Sequence, residues 1–307
     1  MFFTERKLEA RAGELAGYRY REGKGVELWA KEDTEKEVRP ELPQGLDGFE
    51  QMKVGESWSG RDKYLWLKAN ISIPEEWAGK RILGIFDFGM TGVGNNSGFE
   101  SLLYLDGKPY QGVDVNHKEV FLEEGSAGKS FDFTFRLWSG LEGGGTPSPQ
   151  THQIKRAEIA WLDEKTDDLF YMSKLVIDTI KNLSEQDPIR HELKVHLNQA
   201  MKMIDWSYPG SDEFYETVAK ADDYLNEKID SMDKQSIVKV KCIGHTHIDV
   251  AWLWRLKHTR EKCSRSFSTV LRLMEQYPEY IFLQTQPQLY EYIKEDYPEI
   301  YEKMKQK

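Results

Sequence analysis

The clearest indication of the fold is the stretch Tyr64-Leu65-Trp66-Leu67-Lys68-Ala69-Asn70-Ile71-Ser72-Ile73. Alternate side chains of an extended chain lie on the same face, so this stretch has one apolar face. That face consists of Leu65, Leu67, Ala69, Ile71 and Ile73. We therefore predict a half-buried β-strand, with this apolar face buried and the other face exposed to solvent.

Several similar strand patterns surround this stretch and are separated by glycine-rich turns. The apolar or alternating runs are residues 81–88, 131–137 and 154–161. Asp106-Gly107 also separates two short runs, and this dipeptide is typical of a two-residue hairpin turn because both of its residues must adopt positive φ. Short strands with such turns predict an antiparallel β-sandwich, which we place at residues 1–164.

The sequence changes to a helical pattern after residue 164. Apolar residues recur every three or four positions in three successive segments. These residues are Leu169, Met172, Val176, Ile180 and Leu183; Leu193, Leu197, Met201 and Ile204; and Phe214, Val218, Ala221, Leu225 and Ile229. Each series gives one apolar stripe on a helix, and Pro188 and Pro209-Gly210 separate the helices. Residues 165–236 are therefore predicted to form a helical linker or bundle.

A third pattern occupies residues 237–307. It consists of a β-branched strand at residues 237–243, a long helix that ends at Pro278, a short strand at residues 280–284 and a final helix from Pro287. This order is typical of a parallel βαβ unit. One such unit cannot close a sheet, so we expect this segment to be the incomplete βαβα beginning of a larger α/β domain.

The composition excludes several classes of protein. The 307 residues carry a net charge of −10, and a negative surface repels nucleic acids and anionic membranes. No stretch is apolar enough for a transmembrane helix, and the N-terminus lacks the apolar core of a signal peptide. Cys242 and Cys263 are too few for a disulfide framework, which favours a reducing, cytoplasmic setting. We expect both cysteines to be small buried residues rather than nucleophiles.

The residues most informative about chemistry are Gly244-His245-Thr246-His247-Ile248-Asp249, directly after the predicted strand. If the chain remains extended, His245, His247 and Asp249 point to one side. Imidazole nitrogens and carboxylate oxygens bind Zn²⁺ and similar divalent ions, and ligands bind beyond the carboxyl ends of parallel strands. An alternative is that Asp249 caps the following helix. From the residues alone we predict metal-assisted hydrolysis of an unspecified substrate.

The residues that follow leave two interpretations open. Trp252 and Trp254 either stack on a sugar ring or pack in a helix–sheet interface. Gln284, Gln286 and Gln288 either bind a polyhydroxylated ligand or satisfy backbone groups of a loop. A group of charged residues is predicted to form a solvated helix face. These residues are Arg255, Lys257, Arg260 and Glu261.

Three stretches resemble one enzyme family. Residues 244–254 read GHTHIDVAWLW, residues 267–279 read FSTVLRLMEQYPE, and residues 286–291 read QPQLYE. Together they are similar to the start of the catalytic domain of the α-mannosidases of glycoside hydrolase family 38. The resemblance covers residues 237–307 and implies that they begin a β/α-barrel-like catalytic domain.

The resemblance implies a zinc-dependent, retaining α-mannosidase that hydrolyses terminal α-mannosides of oligosaccharides. His247 and Asp249 match two ligands of the zinc ion. Trp252 matches the aromatic residue that packs against the bound mannose. His245 matches a motif histidine that supports the ligands without binding the metal. The implied partners are mannose-containing oligosaccharides, and the implied cofactor is one Zn²⁺ or another divalent ion.

The resemblance also implies that this chain is incomplete as an enzyme. Retention requires two carboxyl groups about 5–5.5 Å apart. The family also needs a further aspartate, which binds the metal and acts as the nucleophile, and a second histidine. After Asp249 the only aspartate is Asp296 and the only histidine is His258, and neither lies in a segment that matches the downstream motifs of the family. Arg255 stands where relatives often have proline, a difference that concerns the loop rather than ligation. We therefore expect an N-terminal fragment that is inactive alone, with the nucleophile and the acid/base downstream.

Two functions of other classes remain as alternatives. The β-sandwich alone can act as a module for carbohydrate binding or for oligomer contacts, and exposed Trp58 or Trp66 would support this. A metal-dependent hydrolase of the amidohydrolase type would require a complete set of metal ligands within the chain. A homo-oligomer is compatible with all three hypotheses.

Overall fold

The computed structural model describes residues 4–35, 37–92, 98–233 and 238–307. The helices are α1 (Thr4–Leu15), α2 (Glu164–Asn182), α3 (Pro188–Met203), α4 (Asp212–Ser231), α5 (Leu256–Gln276), α6 (Pro287–Asp296) and α7 (Pro298–Gln306). The strands are β1 (Tyr20–Gly25), β2 (Leu28–Asp33), β3 (Glu50–Met52), β4 (Ser57–Gly60), β5 (Tyr64–Ser72), β6 (Arg81–Asp87), β7 (Glu100–Leu105), β8 (Lys108–Asp114), β9 (Glu119–Phe121), β10 (Ser130–Trp138), β11 (Gln150–Gln153) and β12 (Arg156–Leu162).

The chain divides into two compact units. The first contains residues 1–23 and 160–239, and the second contains residues 24–159 and 240–307. The three-domain division at residues 1–164, 165–236 and 237–307 stays a prediction.

The first unit contains α1 to α4 around one apolar cluster. Its buried residues include Leu8, Leu15, Leu169, Ile180, Leu197, Phe214 and Leu225. The three helices predicted after residue 164 are confirmed as α2, α3 and α4. Asp163, Asp187 and Ser211 cap them, because each side chain accepts a hydrogen bond from a backbone N–H of the first turn.

Helix α1 was not anticipated, since residues 1–164 were assigned to the β-sandwich. Leu8, Ala12 and Leu15 are spaced three or four residues apart and are buried in the helical cluster. Their spacing gives one apolar stripe of a helix, and helices α2 to α4 supply the apolar surface that covers it. Residues 4–15 therefore form a helix of the first unit rather than strands.

The β-sandwich itself is confirmed, with most of its residues between 24 and 159, and is antiparallel. The six-stranded sheet has the order β3-β2-β5-β10-β7-β8, the four-stranded sheet has the order β1-β12-β6-β9, and β4 pairs with β11. The predicted central strand is β5, which pairs with β10 from Ser72 opposite Ser130 to Tyr64 opposite Trp138. At the predicted hairpin, Asp106 and Gly107 adopt φ values of 49° and 78° between β7 and β8, as a turn of this type requires.

The second face of β5 is only partly exposed, in contrast to the prediction: Asn70 and Ser72 are exposed, but the other residues of this face are not. Trp66 and Lys68 are buried as well as Leu67 and Ala69 on the apolar face. Trp66 belongs to an apolar cluster that also contains residues of α5, α6 and α7, such as Phe267. The reason is that the helices of residues 256–306 cover this face of the six-stranded sheet, a tertiary contact that alternation within one strand does not encode.

Residues 238–307 confirm the predicted helices but not the predicted parallel strands. The final helix breaks into α6 and α7 at Pro298. Within the described residues, the strand predicted at residues 238–243 and its partner at residues 280–284 are reduced to one parallel bridge between Gly244 and Phe282. Ile237 lies outside the described residues. A strand forms only where neighbouring strands satisfy its backbone. The beginning of a β/α barrel is therefore not confirmed.

Candidate functional site

The histidine motif runs alongside residues 282–286 in the second unit. Gln284 donates a hydrogen bond from Nε2 to the carbonyl oxygen of Thr246 at 2.6 Å, and Gln286 donates from Nε2 to that of Ile248 at 3.0 Å. These two glutamines therefore satisfy loop backbone, which was one of the two open interpretations. Gln288 is exposed on α6.

The motif brings His247 and Asp249 together. Nε2 of His247 lies 3.1 Å from Oδ1 of Asp249, and the two side chains are 72% and 42% exposed. Between them in sequence, Ile248 is buried in the apolar cluster with Phe267. The expected alternation is thus present, with an apolar residue inward and two potential metal ligands outward. Asp249 does not cap the next helix, because α5 begins at Leu256 with Arg255 as its N-cap residue.

The pair fits part of a metal site. Two donors that bind one Zn²⁺ tetrahedrally at about 2.0–2.2 Å lie about 3.3–3.6 Å apart. The donor atoms of His247 and Asp249 are 3.1 Å apart, which is close to this distance. Within the ranges that the structure describes, no group of three His, Cys, Asp or Glu side chains is arranged to hold a metal ion. The pair therefore fits as two ligands of a site that needs further donors.

His245 and His247 both line a cavity of about 540 Å³. The lining also includes Glu100, Asp114 and His117 from the sandwich. These charged groups are paired: Glu100 with Lys262 and Arg265, and Asp114 with His117, whose Nδ1 lies 3.0 Å from Oδ2 of Asp114. Polar groups of the sandwich thus share the cavity with the histidine motif.

The loop between the motif and α5 is held by the buried hydroxyl of Thr259. Oγ1 of Thr259 donates to the carbonyl oxygen of Asp249 at 3.0 Å and accepts from the backbone N–H of Ala251 at 3.0 Å. It also accepts from Nε1 of Trp254 at 3.0 Å. Ala251 adopts a φ of 62°, which is strained for alanine, so these contacts maintain an unusual loop. Sequence reasoning missed Thr259, because nothing distinguishes it from other helix threonines.

The two motif tryptophans have different surroundings. Trp252 is 55% exposed, and its ring meets that of Trp254 edge-on with centroids 5.4 Å apart. Trp254 is partly buried, is anchored to Thr259, and has Nζ of Lys262 4.6 Å from its ring. Trp254 therefore has a packing role, and Trp252 presents free ring surface. Contact of Trp252 with a sugar stays a prediction.

The first turn of α5 is fixed to the sandwich. The imidazole of His258 is fully buried, stacks on Trp138 with centroids 4.5 Å apart, and lies 2.7 Å from Oδ1 of Asp62. Arg255 contacts the other oxygen of Asp62 at 2.8 Å. Burial alone would raise the pKa of Asp62, but hydrogen bonds from His258 and Trp138 and the charge of Arg255 lower it to about 2. His258 is thus committed to a structural contact.

The predicted solvated face of α5 is solvated only in part: Arg255 is exposed, and Lys257 and Arg260 are partly buried. Glu261 is buried, so the prediction is wrong for this residue. Its carboxylate lies 3.3 Å from Nη1 of Arg136 and accepts a hydrogen bond from the hydroxyl of Tyr64 at 2.7 Å. Arg136 also contacts Asp33 at 2.8 Å. Burial raises the pKa of Glu261 above its usual value, despite nearby arginine charges. Charged residues at helical spacing face the sheet here because strand β10 presents a complementary arginine.

Two further expectations are settled by burial. Cys263 is buried, and this raises the pKa of its thiol to about 12, so it is not a nucleophile. Cys242 is exposed, so the expectation that it is buried is wrong. Trp58 and Trp66 are only 8% and 4% exposed. Neither tryptophan therefore has the exposed ring that would have supported a carbohydrate-binding sandwich.

Comparison with protein families gives two matches. Residues 25–160 match an α-mannosidase jelly roll domain, and residues 237–307 match the N-terminal domain of glycosyl hydrolases family 38. The matched ranges contain, respectively, most of the sandwich and the histidine motif.

Curated proteins similar to this chain are α-mannosidases. The chain is 27% identical to α-mannosidase G of Dictyostelium discoideum over 93% of its length and 28% identical to human α-mannosidase 2C1 over 84%. It spans about a quarter of the length of these relatives, 27% and 25% respectively. The structure of a β-glucuronidase from an uncultured Clostridium shows a weak similarity, with 15% sequence identity and a TM-score of 0.33. The matched region covers 47% of this chain and 29% of the β-glucuronidase chain. No helix in the described ranges is long and apolar enough to cross a membrane.

Proposed function

This chain is related to the α-mannosidases of glycoside hydrolase family 38 and resembles their N-terminal portion, and from that premise we propose that it provides part of the active site of a zinc-dependent, retaining α-mannosidase. The substrates are oligosaccharides with terminal α-mannosides. His247 and Asp249 provide two ligands of the metal, Trp252 packs against the sugar, and His245 supports the ligands.

The observation that carries this proposal is the 3.1 Å distance between Nε2 of His247 and Oδ1 of Asp249 at an exposed position. A zinc ion held there would act as a Lewis acid and would fix the hydroxyl groups of a sugar. The adjoining cavity of about 540 Å³ lies within the range of about 300–1,000 Å³ that is usual for ligand pockets. The free ring surface of Trp252 is available for the apolar face of a sugar.

We further propose that the nucleophile and the acid/base lie outside residues 1–307, so that this chain alone is inactive. Two carboxylates near the motif in sequence are engaged elsewhere. Asp296 receives two hydrogen bonds from Arg260, at 2.6 and 2.7 Å, and Glu261 is buried beneath Arg136. The remaining metal ligands are also proposed to lie outside these residues, in agreement with the short span of this chain relative to α-mannosidases.

We propose a cytoplasmic location and no nucleic acid or membrane partner. The net charge of −10 and the two free cysteines support this. Mannose-containing oligosaccharides are the proposed partners. Homo-oligomerisation is not part of the proposal.

The experiment compares the complete product of the gene with residues 1–307, both assayed on p-nitrophenyl α-D-mannopyranoside with and without a chelator. The proposal predicts chelator-sensitive hydrolysis by the complete product and none by residues 1–307. Equal activity of the two proteins would contradict the external nucleophile, and hydrolysis of other glycosides but not of α-mannosides would contradict the substrate assignment.

A further inference from the structure

The motif and residues 282–286 share one parallel register. Gly244 forms a parallel bridge with Phe282, and its backbone N–H and carbonyl bond to Ile281 and Leu283 at 2.7 and 2.8 Å. Beyond this bridge the pairing continues without backbone bonds. The side chain of Gln284 reaches Thr246 and that of Gln286 reaches Ile248, each over the same separation of 38 residues. Two side-chain amides therefore continue the pairing after the backbone hydrogen bonds end. We call this series of side-chain hydrogen bonds the ladder.

The amide of Gln284 is held in one orientation. Its Oε1 accepts a hydrogen bond from the backbone N–H of Gln286 at 3.1 Å, which leaves Nε2 as the donor toward Thr246. Its own carbonyl oxygen accepts from the hydroxyl of Tyr290 at 3.2 Å, and the residue is 6% exposed. Because both the nitrogen and the oxygen of this buried amide form hydrogen bonds, the side chain holds the two segments at a fixed separation.

The ladder determines which side chains of the motif share a face. It fixes the carbonyls of Thr246 and Ile248, and Ile248 is buried among the side chains of α5 and α6. In an extended segment the alternate residues then point the other way, and these are His245, His247 and Asp249. A shift by one residue would exchange the two faces. The position of the proposed metal ligands thus depends on the two glutamines.

We propose that Gln284 and Gln286 are positioning residues for the metal site, acting through the carbonyls of Thr246 and Ile248. This inference rests on the proposed function. Replacement of a group that orients a metal ligand commonly weakens metal affinity about 10- to 100-fold. Loss of either glutamine amide is expected to weaken metal binding by about this factor.

The experiment uses residues 1–307 with Gln284→Met or Gln286→Met, which remove the amide and keep the length of the side chain. Gln288→Met is the matched control, since Gln288 is exposed and belongs to the same stretch. Mn²⁺ is titrated while NMR follows the ring protons of the seven histidines. Paramagnetic broadening detects weak binding, so two ligands suffice for a response. The metal-free positions of the His245 and His247 signals are recorded first.

The proposal predicts that Mn²⁺ broadens the His247 signal more strongly than the other histidine signals in the wild type and in Gln288→Met, and at least tenfold less effectively in the other two variants. It also predicts that the metal-free His245 and His247 signals move only in those two variants. The buried His152 signal, from the same unit, verifies folding, and Gln286→Met replaces Gln284→Met if the latter unfolds. Unmoved His245 and His247 signals would overturn the positioning role. Absence of wild-type broadening would instead overturn the proposed metal site and leave the signal positions as the test of the ladder.

Discussion

Nε2 of His258 lies 2.7 Å from Oδ1 of Asp62, although the two residues are 196 positions apart in the sequence. Nδ1 of His258 accepts the backbone N–H of Arg255 at 3.1 Å, so Nε2 carries the proton that is donated to Asp62. A histidine at the third helical position thus takes the role that glutamate has in a capping box. The contact fixes the start of α5, directly after the motif loop, to the sandwich.

The first prediction concerns this contact at acid pH. The pKa of Asp62 is lowered to about 2, so its charged form stabilises the fold above about pH 4, the usual range of a free aspartate, and this stabilisation is lost as the pH falls toward 2. Asp62→Asn is expected to lower the free energy of unfolding at pH 7 by about 1–3 kcal/mol. Asparagine tolerates the φ of 57° at this position, so the backbone is unaffected.

The measurement is urea unfolding, followed by tryptophan fluorescence, at several pH values between 2 and 7. The difference between wild type and Asp62→Asn should shrink from pH 4 to pH 2. Asp178→Asn, which removes an exposed carboxylate from α2, is the control and should show no such trend. A difference that stays constant over this range would show that the charge of Asp62 is unimportant.

The second prediction concerns the loop hydroxyl. Thr259→Val leaves the N–H groups of Ala251 and Trp254 without their acceptor, and we expect a loss of about 1–3 kcal/mol in the free energy of unfolding. Thr259→Ser retains the hydroxyl and should recover most of it. Equal stability of the Thr259→Val and Thr259→Ser variants in urea unfolding would argue that the three hydrogen bonds do not hold the loop.

The third prediction concerns the buried ion pairs of α5. Arg136→Met removes the arginine shared by the buried carboxylates of Glu261 and Asp33, and removal of one member of a buried ion pair costs about 3–5 kcal/mol. Arg61→Met is the control, because Arg61 pairs with Glu142 at the surface, where water and salt screen the pair, and it should change the unfolding free energy far less. If the unfolding free energy fell equally in both variants, burial of the Arg136 pairs would not explain their contribution to stability.

The fourth prediction separates the two tryptophans. Trp252→Ala should change the unfolding free energy by less than about 0.5 kcal/mol, because the ring is largely exposed. In the complete gene product it should raise KM for an α-mannoside, since the ring is proposed to contact the sugar. Trp254→Ala should instead reduce stability, because Trp254 is anchored to Thr259. A stability loss in Trp252→Ala without any kinetic effect would assign the ring to packing.

The features that were predicted correctly are those that residues close together in the sequence determine. The strand at residues 64–72, the Asp106-Gly107 turn and helices α2 to α4 follow from alternation, turn chemistry and helical spacing. The face shared by His247 and Asp249 follows from the alternation of an extended chain. Each of these features depends on residues close in sequence.

The features that were missed depend on distant residues. The burial of Glu261 requires Arg136, and that of His258 requires Asp62, both more than 120 positions earlier. The strand predicted at residues 237–243 is not confirmed for a related reason. β-branched residues favour a strand, but pairing requires neighbouring strands, and the described residues supply one bridge. Pairing across the fold, rather than propensity, decided these cases.

The most direct test of the account is the zinc content of the complete gene product, measured by mass spectrometry on the purified native protein. The account predicts one tightly bound zinc ion in the wild type and its loss in both His247→Ala and Asp249→Ala. His258→Ala, which removes a histidine bound to Asp62, should retain the metal wherever the protein folds. Unchanged zinc in both His247→Ala and Asp249→Ala would contradict the claim that these two side chains bind the metal.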